Sequence, residues 1–339
     1  MDSITQIALG AAIGEATLGH KVGRRALIWG GLAGLLPDLD VLIPLGDAVS
    51  NFTYHRSASH SILVLTLLTP LLVALITKLH PQTARFRFKW HLLIFLAFIT
   101  HILLDSLTVY GTQIFWPLTT PPVMWSTIFI IDPAYTLPLL IGVLSALIFF
   151  RKTSTGHILN TVGLTLSSFY LIWTIGVKIH VEDVSRHSLA SQNIKYENLL
   201  TVPAPFNTML WRVLVMDDSG YYEGFYSIFD KAGTIRFNHV LDQKHLLADV
   251  SEHWPVKRLQ WFTQGFYSVQ RLADDIVISD LRMGLEPVYF FQFKVAEIEN
   301  EIIKPVQNSP VEVVVNLDQL GWVWNRIWTD SAATGYTHR

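Results

Sequence analysis

The sequence contains no cysteine. That excludes a disulfide framework, a Cys-ligated zinc finger, an iron–sulfur cluster and a cysteine nucleophile. Any metal site must be built from His, Asp and Glu. Charge is also scarce. Only 15% of residues are Asp, Glu, Lys or Arg, against about a quarter in an ordinary soluble domain. The formal net charge of -2 excludes a strongly basic nucleic-acid binder. What is abundant is apolar. Half of the 339 residues are hydrophobic, and the mean hydropathy is +0.36. Intrinsic disorder needs the opposite composition. The length accommodates two ordinary domains.

The scarce charge is unevenly spread. Residues 1–178 carry 11 Lys/Arg and 7 Asp/Glu, a local charge of +4, and residues 179–339 carry 14 and 20, a local charge of -6. We read 1–178 as a helical membrane domain and 179–339 as a soluble α+β domain. Long apolar runs at about 20 residues per bilayer crossing predict six membrane segments, near 3–19, 26–46, 60–79, 90–110, 133–150 and 157–178. The first is the weakest, broken by Glu15, and is also read as half-inserted. Asp2 and the lack of a basic stretch before that segment argue against a cleavable signal peptide.

The loops 20–25, 78–89 and 151–156 hold nine basic residues, and the opposing loops 47–59 and 111–132 hold only Arg56. Basic loops stay in the cytoplasm, so the C-terminal half is expected outside the inner membrane. Small residues at four-residue spacing, Gly10/Gly14 and Gly30/Gly34, predict close helix packing.

Acids are few in the membrane half, and charged groups at membrane depth are costly, so they are rarely idle. Under this topology Asp38, Asp40, His55, His60, His101, Asp105 and Asp132 all fall toward the outer side. His101 and Asp105, four apart, share one helix face. They suit a shared metal, or a buried His–Asp hydrogen bond. In Leu36-Pro37-Asp38-Leu39-Asp40, Pro37 disfavours helix before it. A turn there aims both carboxylates into one pocket, or else marks a polar helix end at the headgroups. In His55-Arg56-Ser57-Ala58-Ser59-His60-Ser61, Ser57 or Ser59 is expected to cap the third segment. Arg56 suits an anionic group on a substrate, or a lipid headgroup. His20, His80, His91 and His157 fall near the cytoplasmic side and are read as interfacial. The joint set looks like a His/Asp site for a divalent metal ion. Nitrogen and oxygen donors without sulfur suit Zn²⁺ first, with Mn²⁺ or Fe²⁺ as alternatives.

At these residues the sequence resembles the YdjM-type family of bacterial proteins described as membrane-bound, metal-dependent hydrolases. The matching pieces are MDSITQIALGAAIGEATLGHKVGRRA, GLLPDLDVL, YHRSASHSI, HILLDSLTVYGTQIFWP and IDPAYTLPLL, which cover most of 1–142. The resemblance implies a multi-pass inner-membrane protein with metal ligands at Asp38, Asp40, His55, His60, His101 and Asp105; Asp2 and Asp132 also sit in matching stretches. Many members begin MDxxTH, whereas position six here is Gln6, which puts a ligand role there in doubt. The H-x-x-x-D element is distantly similar to that of zinc-dependent phospholipases C and nucleases.

In the second half, Trp211–Val215 reads as a strand, 217–220 as a turn and 221–229 as its hairpin partner. Thr234–Phe237, Val288–Val295 and Val311–Val315 read as further strands, and 241–250 and 256–264 as short helices. Six of the eleven Trp lie here, as core and membrane-interface residues, or as a lid or a glycan- or lipid-binding face. His180, His187, His239, His245 and His253 show no ligand spacing.

The leading expectation is an integral membrane metallohydrolase with its centre at the outer face. Asp38, Asp40, His55, His60, His101 and Asp105 bind metal, with Asp132 a further ligand or supporting group. Asp38 or Asp40 acts as general base, and Arg56 holds an anionic group. The expected partners are the lipid bilayer and a lipid-linked or amphiphilic substrate, a phosphoester among them, with no nucleic acid. Two alternatives stand beside it. One is a metal-ion or proton transporter using the same cluster, which should also show cytoplasmic-side polar residues and an internal repeat. The other is a non-catalytic assembly or sensor protein.

Overall fold

The computed structural model describes residues 1–149, 154–313 and 318–329. The chain packs as two compact units. The first takes Met1–Ile43 and His55–Thr174, and the second takes Pro44–Tyr54 and the chain from Ile175 onward.

In the first unit, Asp2 caps α1 (Ser3–Gly14), its carboxylate accepting from the Thr5 amide at 3.0 Å. The helix continues through a π turn (Glu15–Gly19) and α2 (His20–Val22), and the chain turns at Gly23 into α3 (Arg24–Leu35). The small-residue spacing acts as expected. A Cβ on Gly10 would lie 2.2 Å from the Gly30 carbonyl oxygen, and one on Gly14 would lie 2.2 Å from that of Ala26. Only glycine allows α1 and α3 this approach. The chain beyond α3 tightens into a 3-10 turn (Leu36–Leu42) with Pro37 in its first turn. Pro37 has no amide hydrogen to offer an α-helical ladder.

After α4 (Ala48–Tyr54), which packs with the second unit, come α5 (Ile62–Leu79), α6 (Arg87–Ser106), α7 (Pro133–Leu144) and α8 (Ser154–Ser191). Ser61 caps α5, accepting from the Val64 amide at 3.4 Å. This corrects the assignment to Ser57 or Ser59: a 3-10 turn (Ala58–His60) intervenes, so the helix starts later. Three stretches are long and apolar enough to cross a bilayer, Ile62–Leu79, Pro81–Ser106 and Ser154–Ser191, and Pro133–Ile148 is a shorter apolar helix. Leu67, Leu71, Phe169 and Ile172 are each more than 60% exposed, as lipid-facing side chains would be. The segments 3–19 and 26–46 fold as shorter α-helices extended by π and 3-10 turns. Residues 150–153, the end of the expected fifth segment and the start of a basic loop, lie outside the described residues.

The second unit is rich in β-structure. One antiparallel sheet has the order β1 (Asn198–Pro203), β2 (Leu210–Met216), β3 (Gly220–Ser227), β4 (Phe237–Leu241). Its core brings Val181 and Leu189 of α8 onto Trp211, Val213 and Val215. The β2–β3 turn is closed by Asp217, whose carboxylate accepts from the Ser219 and Gly220 amides at 3.0 and 2.7 Å. After α9 (Trp254–Thr263), β5 (Tyr267–Leu272), β6 (Asp275–Asp280), β9 (Gln292–Glu299) and β10 (Ile302–Pro310) form a second sheet in the order β10-β9-β6-β5; β7 (Gly284–Leu285) and β8 (Val288–Tyr289) pair separately. The described chain ends in α10 (Asp318–Trp328).

The single strand expected at 288–295 is broken at 290–291 into β8 and β9, which belong to different sheets. Two further strand expectations are corrected. Residues 234–236 are irregular and the strand begins at Phe237. Residues 311–313 follow the last strand, which ends at Pro310, and 314–315 lie outside the described residues. In both cases the apolar run alone suggests a strand, whereas the antiparallel partner sets where pairing starts.

A buried ionic network sits on this domain. Arg212 donates to the Glu223 carboxylate at 2.5 Å, to the Leu281 carbonyl at 2.5 Å and to the Tyr289 hydroxyl at 3.2 Å. Arg212 and Glu223 are 3% and 5% exposed. Burial first, then its hydrogen bond to Glu286, raises the Tyr221 hydroxyl above its ordinary range, so it stays a donor. Removing one member of such a pair strands a charge, at a cost of about 3–5 kcal/mol. Arg212→Met is therefore expected to lower unfolding stability by that order in a tryptophan-fluorescence melt. Arg212→Met/Glu223→Met should recover part of the loss. A double variant no more stable than the single would assign the loss to packing instead.

Candidate metal centre

Four side chains of the first unit converge. Asp38 comes from the 3-10 turn after α3, His60 from the turn before α5, and His101 and Asp105 from one face of α6. One ligand atom from each lies within 4.8 Å of the other three. His60, His101 and Asp105 are 0% exposed. His60 Nε2 is 3.1 Å from His101 Nε2, 3.1 Å from Asp105 Oδ2 and 3.4 Å from Asp38 Oδ1. His101 Nε2 is 3.6 Å from both Asp38 Oδ1 and Asp105 Oδ2.

The hydrogen-bond partners assign the imidazole tautomers. The Gly34 carbonyl can only accept, so His101 Nδ1 donates to it, at 2.7 Å. Ser59 Oγ donates to Asp40 Oδ2 at 2.5 Å, which leaves its oxygen to accept from His60 Nδ1 at 2.9 Å. With both rings neutral, each turns an Nε2 lone pair toward the other and toward two carboxylates. Four acceptors facing one point without a donor among them repel each other. A cation between them removes that conflict. A second observation agrees: Asp38 Oδ2 is buried with no hydrogen-bond partner. Ligands about 2.0–2.1 Å from a tetrahedral ion lie about 3.3 Å apart, and the five distances above bracket that value. The donor set therefore fits a divalent metal ion. Each imidazole also has its far nitrogen held by an acceptor, as metal-binding histidines do.

The remaining candidates take other places. Asp40 turns away from the four. It meets His55 Nδ1 at 2.8 Å and accepts from the Arg56 amide at 3.0 Å and from Ser59. Residues two apart in a 3-10 turn diverge by about 240°, so Asp38 and Asp40 do not share a pocket. They approach His60 from its two ends, Asp40 Oδ2 lying 3.9 Å from Nδ1. Asp132 caps α7, accepting from the Ala134 and Tyr135 amides at 2.9 and 3.3 Å and from the Tyr170 hydroxyl at 2.8 Å. Arg56 is 3% exposed. Its Nε lies 3.3 Å from Asp105 Oδ2, it donates to Thr108 Oγ1 at 3.3 Å, and its guanidinium sits 5.0 Å over the Tyr110 ring.

Residue typing alone did not single out three contributors. Ser59 links Asp40 to His60. Thr108 holds Arg56. Gln6 donates to Asp105 Oδ1 at 3.0 Å and to the His101 carbonyl at 3.3 Å. Gln6 thus sits beside the centre. The Met1 amino group also contacts Asp105 Oδ1. Those two donors occupy Oδ1, while Oδ2 faces the centre. His20, His80, His91 and His157 lie elsewhere and form no such group among the described residues.

A family model described as YdjM inner membrane protein matches residues 1–179, more than half of the chain and the part that holds this centre. The chain is 27% identical over 232 residues to the uncharacterized protein YfhP of Bacillus subtilis (strain 168), covering 66% of this chain and 68% of the relative. No solved structure matches.

Proposed function

The chain belongs to the YdjM inner membrane protein family, and we propose that it is an integral membrane metal-dependent hydrolase with its centre at the outer face of the membrane. One observation carries the reading: four buried acceptor atoms, two imidazole nitrogens and two carboxylate oxygens, converge with no donor among them. Asp38, His60, His101 and Asp105 would hold the ion. A divalent ion there supplies Lewis acidity toward an ester or amide group. Zn²⁺, Mn²⁺ or Fe²⁺ would each suit this nitrogen and oxygen donor set.

The protein's own residues account for the rest. Asp40 and His55, side chains 10% and 22% exposed, form a carboxylate–imidazole pair beside the centre and accept a proton from an attacking water. Arg56 places a fixed positive charge next to Asp105 and holds an anionic group, a phosphoester first. The membrane setting favours a lipid-linked or amphiphilic substrate.

Six membrane segments with the nine basic loop residues in the cytoplasm put Asp38, His60, His101 and Asp105 together on the outer side. The single basic residue in the outer loops, Arg56, is buried against the centre, which leaves no solvent-exposed basic residue in those loops. The orientation has a direct test, because the chain has no cysteine. Ser219→Cys should react with a membrane-impermeant thiol reagent in intact cells or spheroplasts. Labelling only after lysis would reverse the topology.

Activity is tested on detergent-purified protein, chelated and then reloaded with Zn²⁺, Mn²⁺ or Fe²⁺, against phosphoester and lipid-linked substrates. The expected result is metal-dependent turnover. Arg56→Ala should raise KM at least tenfold for anionic substrates while metal content is retained. Ion uptake into proteoliposomes without any turnover would move the reading to transport.

A further inference from the structure

At the far end of α1 from the metal centre lies a second polar group, which the proposed hydrolysis does not use. Glu15 opens the π turn Glu15–Gly19 and is 9% exposed. A single π turn within an α-helix frequently marks a functional site. The Glu15 carboxylate folds back over Gly19. A Cβ at Gly19 would collide with Oε2, Cδ and Oε1 of Glu15, the last at 2.8 Å. Gly19 has ordinary helical dihedrals, φ -54° and ψ -44°. Glycine is therefore needed there for room, and the carboxylate takes that room.

The facing helix is α8. Asn160 Nδ2 donates to the Ala12 carbonyl at 2.9 Å. Three residues further along α1 and three residues back along α8, His157 Nδ1 faces Glu15 Oε1 at 3.6 Å. His157 and Asn160, three apart, share one face of α8. Asn160 is 1% exposed, and its Oδ1 is buried with no hydrogen-bond partner; His157 Nδ1 is likewise buried with none. At 3.6 Å, Nδ1 and Oε1 do not hydrogen-bond. A charge-assisted bond would draw them to about 2.7–2.9 Å. Two ligands of one tetrahedral ion stand about 3.3 Å apart, much nearer the observed separation. His20, its ring 6.4 Å from that of His157, stays outside the group.

We propose that Glu15, His157 and Asn160 form a second divalent-cation site, built entirely within the first unit. A carboxylate, an imidazole and a carboxamide supply two oxygens and one nitrogen, a donor set that suits Mn²⁺, with Zn²⁺ as a competitor. Three protein ligands leave positions for water. The His157 side chain is 43% exposed, so the ion exchanges with solvent. When bound, it ties the π turn to the start of α8. The site lies about 14 Å along α1 from Gln6, at 1.5 Å per residue, and the orientation proposed above would place it on the cytoplasmic side. It does not depend on the metal-centre reading.

The test titrates untagged full-length protein in detergent with Mn²⁺, the free ion being read by its magnetic-resonance signal. Wild type should take up two ions per chain. Glu15→Gln and His157→Ala should take up one, and Asn160→Ala should weaken the second ion about tenfold. The His101→Ala/Asp105→Ala variant should also take up one, which disappears when Glu15→Gln is added. Mn²⁺ should raise the melting temperature of that double variant; no rise there would leave Glu15 and His157 an ion pair and overturn the proposal. Two ions retained in folded Glu15→Gln and His157→Ala would overturn it as well. So would a wild type holding a single ion that the His101→Ala/Asp105→Ala change removes. A single wild-type ion lost instead in Glu15→Gln would uphold this site and remove the metal centre, and a wild type that binds none would remove both. Should Glu15→Gln fail to fold, His157→Ala decides, because its side chain is partly in solvent.

Discussion

The His101→Ala/Asp105→Ala variant is expected to purify without metal, whereas wild type is expected to carry a stoichiometric divalent ion, both read by elemental analysis. Supporting groups around metal sites typically matter 10–100-fold in affinity, and removing two of four direct ligands should exceed that. Each residue also has a second job that makes the double alanine blunt. Asp105 neutralises Arg56 and accepts from Gln6, and His101 satisfies the Gly34 carbonyl. Asp105→Asn keeps the shape and removes the charge, so it separates metal loss from collapse of the site. It should lower affinity by about a hundredfold or more while the protein stays folded. Chelation of wild type should lower its melting temperature, because an ion at 100 times its Kd stabilises by about 2.7 kcal/mol. A wild type that holds no metal after reconstitution with Zn²⁺, Mn²⁺ and Fe²⁺ would end the metallohydrolase reading. The buried acids and histidines would then be structural or part of a permeation path.

The second large effect comes from a methyl group. Gly34→Ala would place a Cβ 2.3 Å from the Gln6 carbonyl oxygen and 3.3 Å from the Gly10 Cα. Both are backbone atoms and neither can rotate away, so α1 and α3 must separate by about an ångström. Overpacking of this kind costs about 1–3 kcal/mol. The same shift moves two supports of the centre. The Gly34 carbonyl orients His101, and Gln6 on α1 holds Asp105. Metal affinity should fall about 10–100-fold together with the melting temperature. Gly176→Ala is the control. Nothing lies within 4 Å of a Cβ there, so it should be neutral or slightly stabilising. A Gly34→Ala protein with wild-type melting and wild-type metal affinity would show that the α1–α3 contact is looser than these distances.

These two experiments touch different layers of what the sequence reveals. The ligand types at the centre were legible because acids and histidines are so rare among the apolar residues of 1–178 that each one stands out. The i,i+4 pair His101/Asp105 was legible because helical periodicity is local. Asp38 and Asp40 were harder. Their spacing marks an irregular backbone, but not which carboxylate turns toward His60 Nε2 and which toward His55. Asp132 carries the same residue type as Asp38, yet it sits before Pro133 and spends Oδ1 on the first amides of α7 and Oδ2 on the Tyr170 hydroxyl. A capping reading was available there, since Asp followed by Pro is a helix-start pattern. Ser59 and Thr108 carry no charge and no metal-ligand signature, so only their contacts reveal them; Gln6 is marked in the sequence only by its departure from the MDxxTH opening, and its bond to Asp105 is seen only in the fold.

Composition and short-range pattern determined, by themselves, that the first half is apolar enough for membrane helices, that no thiol chemistry is available, that a metal would have to be held by His and Asp, and that the second half turns back on itself in hairpins. Each of these depends on residues close in sequence, on helical or strand periodicity, or on the energetic cost of charge in an apolar setting. Tertiary structure alone decided that Gly34 and His101, 67 positions apart, are hydrogen-bonded. It also decided that four of the candidate ligands meet while Asp40, His55 and Asp132 take other partners. The assignment of Pro44–Tyr54 to the C-terminal unit was decided the same way. Those outcomes depend on how closely α1, α3 and α6 approach and on which loop the second unit buries. Packing between elements distant in the chain sets both, and no local period encodes it.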